Sequence, residues 1–263
     1  MLGAIIGDIV GSIYEHHNIK TKDFVFFNSD CRMTDDSVMS LAIANALLKS
    51  SNENEFEDNV VKNMQEFGRR YPNAGYGRRF ISWIYSDTPR PYHSFGNGSA
   101  MRVSPVSWVA NSVEQAEHLA EVQARTTHDH PDAILGAKAV AAAIYMARTG
   151  SDKDEIREYL QNKYYTLSFT LDDIRDEYIF DVSCSGSVPE AIEAFLESSS
   201  FEDAIRNAVS IGGDSDTIAA ITGSIAEAFY GVPSWIEDEA LGRMDDYLFN
   251  IYLQFRLYCL NKS

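Results

Sequence analysis

The stretch "RMTDDSVMSLAIANALL", residues 32 to 48, decides the expected fold. From Val38 to Leu48 it is apolar on almost every face, a pattern suited to a helix enclosed by others. Ala137 to Ala147 has the same character. Two such central rods favour one thick assembly of helices, and the chain is read as all-α: a compact single-domain multi-helix bundle over residues 1–263. At the head of the first rod stand two adjacent carboxylates, Asp35 and Asp36. Like charges side by side repel unless something positive is near. The ordinary explanation is a helix start, with Thr34 as N-cap and the acids in a first turn that the macrodipole favours. The other is a bound cation, which needs oxygen ligands from elsewhere in the chain.

The rest of the chain repeats the helical period. Beyond Met244 the residues Tyr247, Leu248, Ile251, Tyr252, Phe255 and Cys259 recur at spacings of three and four, giving an amphipathic closing helix. "SVPE" at 187–190 offers Ser187 as cap and Glu190 as its reciprocal partner, and "SFED" at 200–203 starts a helix in the same manner. Ala133 to Arg148 stops before Gly150, and Ile218 to Tyr230 stops at Gly231 with Pro233 beyond. Only 164–185, beginning "YYTLSFTL", lacks this period and reads as a short strand pair or an irregular loop. No linker, low-complexity tract or internal repeat divides the chain.

Composition narrows the function classes. Hydrophobic residues at 45% and charged residues at 23% supply a core and argue against disorder. A formal charge of -17 repels nucleic-acid backbones and anionic membranes, so neither is an expected general partner. The contrary patch is "GRRYPNAGYGRRF", residues 68–80, with Arg69, Arg70, Arg78 and Arg79 among Tyr71, Tyr76 and Phe80; a solvated helix face or a site for an acidic partner explains it better than nucleic acid. Cys31, Cys184 and Cys259 are odd in number and widely spaced, which indicates neither a disulfide framework nor a zinc site. The opening "MLGAIIGDIVGS" has no basic leader and carries Asp8 inside its apolar run, and no apolar run approaches a membrane span. A cytoplasmic protein, acting as a monomer, is expected.

The two carboxylates gain meaning at residues 212–217, "GGDSDT". Asp214, Asp216 and Thr217 again stand where a glycine turn opens an apolar helix. If the two clusters face one another, Thr34, Asp35, Asp36, Asp214, Asp216 and Thr217 form an all-oxygen set suited to magnesium or manganese rather than zinc. Four carboxylates are enough for two divalent ions about 3.5 to 4 Å apart, a spacing that clamps and activates water.

With these motifs in order, the chain resembles the ADP-ribosylglycohydrolases, the family of the dinitrogenase reductase-activating glycohydrolase and the ADP-ribosyl-acceptor hydrolases. "GAIIGDIVGSIYE" looks like the family's N-terminal signature, "MTDDSVM" its first metal motif, "GNGSAMR" its phosphate loop, "THDHPDAILGAKA" its central histidine helix, and "GGDSDT" its second metal motif. The resemblance implies a compact all-α fold with a binuclear magnesium site, in which the six residues above are the metal ligands and Asp35 and Asp36 belong to the catalytic centre. It also places Glu15 where hydrolases of oxygen-linked ADP-ribose carry a glutamate, as general base or acid in cleavage through an oxocarbenium-like centre. Gly96, Asn97, Gly98 and Ser99 would cradle a pyrophosphate with backbone amides. Ser94 matches a phosphate contact, Phe95 a ring to stack on adenine, and His128 a substrate-side histidine.

Asp8 is expected to cap or orient its loop, or to stand behind a metal ligand. His130 is read as structural, and His128 and His130, two apart, do not suit a zinc site. The function expected is magnesium-dependent release of ADP-ribose from an ADP-ribosylated protein or a small oxygen-linked derivative. Two alternatives stand beside it: a metal-dependent nucleotide pyrophosphohydrolase, and a catalytically silent ADP-ribose binder or crystallin-like structural protein. A silent relative would be expected to lose acids from "TDD" or "GGDSDT", and none is missing.

Overall fold

The computed structural model describes residues 1–261. Fifteen α-helices and one 3-10 turn, Cys184–Gly186, account for the regular structure among the described residues, the α-helices being α1 (Leu2–Gly11), α2 (Asp35–Leu48), α3 (Glu53–Arg70), α4 (Arg78–Ile84), α5 (Gly98–Met101), α6 (Ser104–Val109), α7 (Val113–Arg125), α8 (Pro131–Arg148), α9 (Lys153–Lys163), α10 (Leu171–Ile174), α11 (Val188–Leu196), α12 (Phe201–Ser210), α13 (Ser215–Tyr230), α14 (Ser234–Leu241) and α15 (Asp246–Leu260). None is long and apolar enough to cross a membrane.

The expected central rods are central. α2 and α8 carry buried residues around nearly their whole circumference, α7 lies along α8, and α3 and α15 cover α2. The most enclosed helix is α1, every residue of which is buried. Its partner is α13, flanked in turn by α8, α11 and α12. Gly3, Gly7 and Gly11 line the face of α1 that meets α13, one residue per turn. A Cβ on Gly7 would lie 2.0 Å from the Ala219 carbonyl oxygen, and one on Gly11 2.4 Å from the Asp216 Cα. Only hydrogen fits there, so the two backbones touch and the head of α13 is pinned against the end of α1.

Local signals fared unequally. Ser200 caps α12 as its sequence foretells, accepting from the Asp203 N–H at 3.1 Å. Gly231 closes α13 at φ 72°, in the left-handed region that glycine enters without strain. The Ser187–Glu190 capping box does not form: the Ser187 hydroxyl donates to the Asp181 carbonyl at 2.9 Å, and Glu190 Oε2 is buried without a hydrogen-bond partner. Thr34 holds the N-cap position of α2 but makes no side-chain cap bond. Residues 164–185 form no strand pair; they run as loops around α10, with one isolated bridge between Ser183 and Gly96.

Candidate active site

Packing α13 against α1 and α2 brings the two acidic helix heads together. Thr217, in the first turn of α13, donates its hydroxyl to Asp36 Oδ2 at 3.3 Å, and Thr34 reaches the same oxygen at 3.3 Å. Two triads of carboxylates result, each with ligand atoms within 4.8 Å of one another: Asp8, Asp36 and Asp216, and Glu15, Asp214 and Asp216. Asp216 belongs to both. Asp35 stands beside them on the wall of the same cleft, facing Gly75.

Asp8, expected to cap or orient its own loop, caps a different segment and lies among the acids. It is fully buried in mid α1, accepts from the Thr34 N–H at 2.8 Å, the Thr34 hydroxyl at 2.6 Å and the Ser37 N–H at 3.1 Å, and also takes the Ser37 hydroxyl. These donors are orphans of the α2 N-terminus, so Asp8 caps α2 from another helix. The legible signal was a lone charge inside an apolar run.

So many acids in one place cannot all ionise without help. Burial, reinforced by the neighbouring carboxylates, pushes Asp35 up to about 8, and burial pushes Asp214 up to about 6. Burial and like charges raise Asp36 and Asp216 as well, while burial raises Asp8 against the pull of its Ser37 and Thr34 bonds. One oxygen, Asp36 Oδ1, is buried with no hydrogen-bond donor at all. An all-oxygen, carboxylate-rich set with an orphaned buried oxygen fits a hard divalent cation.

The acids line a cleft of about 440 Å³ whose other walls include Ser94, Gly96, Asn97, Gly98, His128, Arg78, Arg79 and Val182. Within the glycine loop, the Gly96 N–H donates to Ser94 Oγ at 3.2 Å and the Asn97 N–H to the Val182 carbonyl at 2.8 Å, so two of the amides expected to be free are engaged. The Asn97 side chain turns inward and donates to Asp214 Oδ2 at 2.7 Å and to Ser187 Oγ at 3.1 Å. Ser99 is buried behind the wall, its hydroxyl on the Ala133 carbonyl at 2.9 Å. Phe95 is 53% exposed and sits outside the cleft lining, its ring 5.9 Å from that of His130. His130 caps α8 through Nδ1, which accepts from the Asp132 N–H at 3.2 Å.

His128 is buried, and burial, with Arg102 and Arg79 adding to it, holds its pKa well below the usual histidine value, so the ring is neutral. Arg102 donates to Thr127 Oγ1 at 2.8 Å, and that hydroxyl lies 2.7 Å from His128 Nδ1. Thr127 Oγ1 thus links Arg102 to Nδ1 of the neutral ring, and the other ring nitrogen, Nε2, is the one nearest Gly98.

Asn18 belongs to no sequence motif, yet it joins two loops of the site. Its side-chain amide donates to the Gly213 carbonyl at 2.9 Å and accepts from the Gly213 N–H at 2.9 Å, while also donating to the carbonyls of Tyr14 at 2.7 Å and Glu15 at 3.1 Å. It clamps the loop bearing Glu15 to the loop bearing Asp214.

A sequence model of the ADP-ribosylglycohydrolase family matches residues 1–256. The chain belongs to the ADP-ribosylglycohydrolase family. Among named relatives of this chain, human ADP-ribosylhydrolase ARH3 is 25% identical over 88% of this chain and 84% of its own length. ADP-ribosylarginine hydrolase Tri1 of Pseudomonas putida strain GB-1 is 27% identical over 91% of this chain and 73% of its own. A solved structure titled ADP-ribosylglycohydrolase-related protein complex superposes with a TM-score of 0.68 at 22% identity, covering 97% of this chain and 95% of that one, which establishes the shared all-α fold.

Proposed function

We propose that this glycohydrolase is a magnesium-dependent enzyme that cleaves the bond between ADP-ribose and an oxygen-linked acceptor, on a protein or a small molecule. The observation that carries the reading is the meeting of Asp36 and Thr217, 181 residues apart, in a cleft that the glycine loop and His128 also line. Family membership and the ADP-ribosylhydrolase relatives support the same substrate class. The two triads suit two magnesium ions, with manganese as a substitute, held by Asp8, Asp36, Asp214, Asp216 and Glu15 with Thr34, Thr217 and Asp35 alongside. When bound, such ions supply the positive charge that orients ribose hydroxyls and activates a water.

The chain's own groups do the rest. Glu15 follows the C-terminal end of α1 at the cleft wall, where its carboxylate can take a proton from water or give one to the departing oxygen. In the overall step water adds to the anomeric carbon, the acceptor leaves with the bonding pair, and one proton passes from water to acceptor. Asn97 fixes the orientation of Asp214, and the neutral His128 ring presents Nε2 beside the glycine loop as a polar contact for the substrate. A panel of peptides, each carrying ADP-ribose through one linkage, tests the reading with and without magnesium. Release of intact ADP-ribose from oxygen-linked peptides only when magnesium is present is expected; AMP as product, or no release from any linkage, would remove it.

A further inference from the structure

The basic stretch 68–80 is not used by the chemistry above. Its last two arginines, Arg78 and Arg79 at the start of α4, line the same cleft as the acids. Arg79 is held in place: its guanidinium donates to the Tyr92 carbonyl and lies 4.8 Å from the centre of the Tyr92 ring, which is itself 5.7 Å from that of His128. The other end of the loop is tied to the acids, because the Asp35 N–H donates to the Ala74 carbonyl at 2.9 Å. The arginine-bearing segment is thus fastened to the acids at Ala74 and to the Tyr92–His128 wall at Arg79.

Arg78 is exposed, and among the described residues its guanidinium has no ion pair or hydrogen bond, although the chain holds 39 acids against 22 lysines and arginines. A ligand with two negative charges midway along its length, entering a cleft lined by Glu15, Asp35, Asp36, Asp214 and Asp216, meets positive charge from the chain itself at Arg78, Arg79 and the buried Arg102. Two of the glycine-loop amides are moreover already engaged.

We infer that Arg78, with Arg79 fixed behind it, grips the pyrophosphate of ADP-ribose and makes the cleft selective for a ligand charged at that point. This rests on the ADP-ribose reading of the site. Guanidinium is the group for such a task, since its planar fork meets two phosphate oxygens at once.

The test is calorimetric titration of ADP-ribose into wild type and Arg78→Gln in magnesium buffer at several salt concentrations, with melting temperature and manganese affinity measured on both. About a tenfold loss of ADP-ribose affinity is expected from one charge-assisted contact, with a flatter salt dependence, an unchanged melting temperature and unchanged manganese affinity. Equal ADP-ribose affinity in the two proteins would overturn the role of Arg78, as would a loss accompanied by a matching fall in melting temperature. If wild type binds no ADP-ribose, the failure lies in the functional reading itself.

Discussion

Asp8 accepts hydrogen bonds from the backbone N–H and the hydroxyl of Thr34, at 2.8 and 2.6 Å, so a carboxylate in the middle of α1 holds the head of α2. The same carboxylate lies within 4.8 Å of Asp36 and Asp216. One side chain thus joins the stability of a helix to the electrostatics of the cleft.

Replacing Asp8 separates the two roles. Asp8→Ala leaves buried donors of Thr34 and Ser37 without an acceptor and should cost about 2 kcal/mol in urea unfolding at pH 6 with chelator present. Asp8→Asn keeps an oxygen for the Thr34 and Ser37 N–H groups and can donate to the Thr34 hydroxyl, so its stability should fall less. Manganese affinity should drop in both. Equal destabilisation by the two substitutions would contradict the capping role.

Without a cation, the acids should make stability depend on pH in a stated direction. Asp35 is raised to about 8 and Asp214 to about 6, with Asp36 and Asp216 also raised, against about 4 for a carboxylate in the unfolded chain. The folded state then binds more protons than the unfolded one throughout that interval, so stability is greatest near pH 4 to 5 and is lost as pH rises toward 8. Melting temperatures in chelator should fall from pH 5 to pH 8. Saturating magnesium should lift the curve most at pH 8, because cations then stand in for protons.

Asn18 should matter more than its place in a loop suggests. Asn18→Ala removes the paired bonds to Gly213 and the ties to Tyr14 and Glu15, costing about 1–2 kcal/mol of stability. Because Glu15 and Asp214 lose their common brace, manganese affinity should fall together with the rate of ADP-ribose release. Wild-type manganese affinity in Asn18→Ala would show that the clamp does not set the site.

What the sequence made legible was what depends on neighbours in the chain. The apolar rods at Val38–Leu48 and Ala137–Ala147, the Ser200 cap and the glycine stop at Gly231 are local patterns, and each appears where expected. Thr34, Asp36, Asp214, Asp216 and Thr217 were readable because each cluster is contiguous. The failures are long-range. Ser187 and Glu190 satisfy the spacing of a capping box, but Asp181 and Asn97 compete for the Ser187 hydroxyl. Asn18 carries no motif of its own, since its partner Gly213 lies 195 residues away. Residues 164–185 had no period to read because side-chain bonds, such as Tyr178 to the Gly186 carbonyl at 2.5 Å, shape them instead of a repeating ladder.

The most direct measurement is manganese binding to wild type and Asp216→Asn, followed by electron paramagnetic resonance of the free ion. Asp216 is the residue common to both triads, so wild type should take up two ions per chain and the variant should lose affinity for both by at least about tenfold. Undiminished binding of two ions by Asp216→Asn, or no binding by the wild-type chain, would contradict a shared cation centre at the heads of α2 and α13.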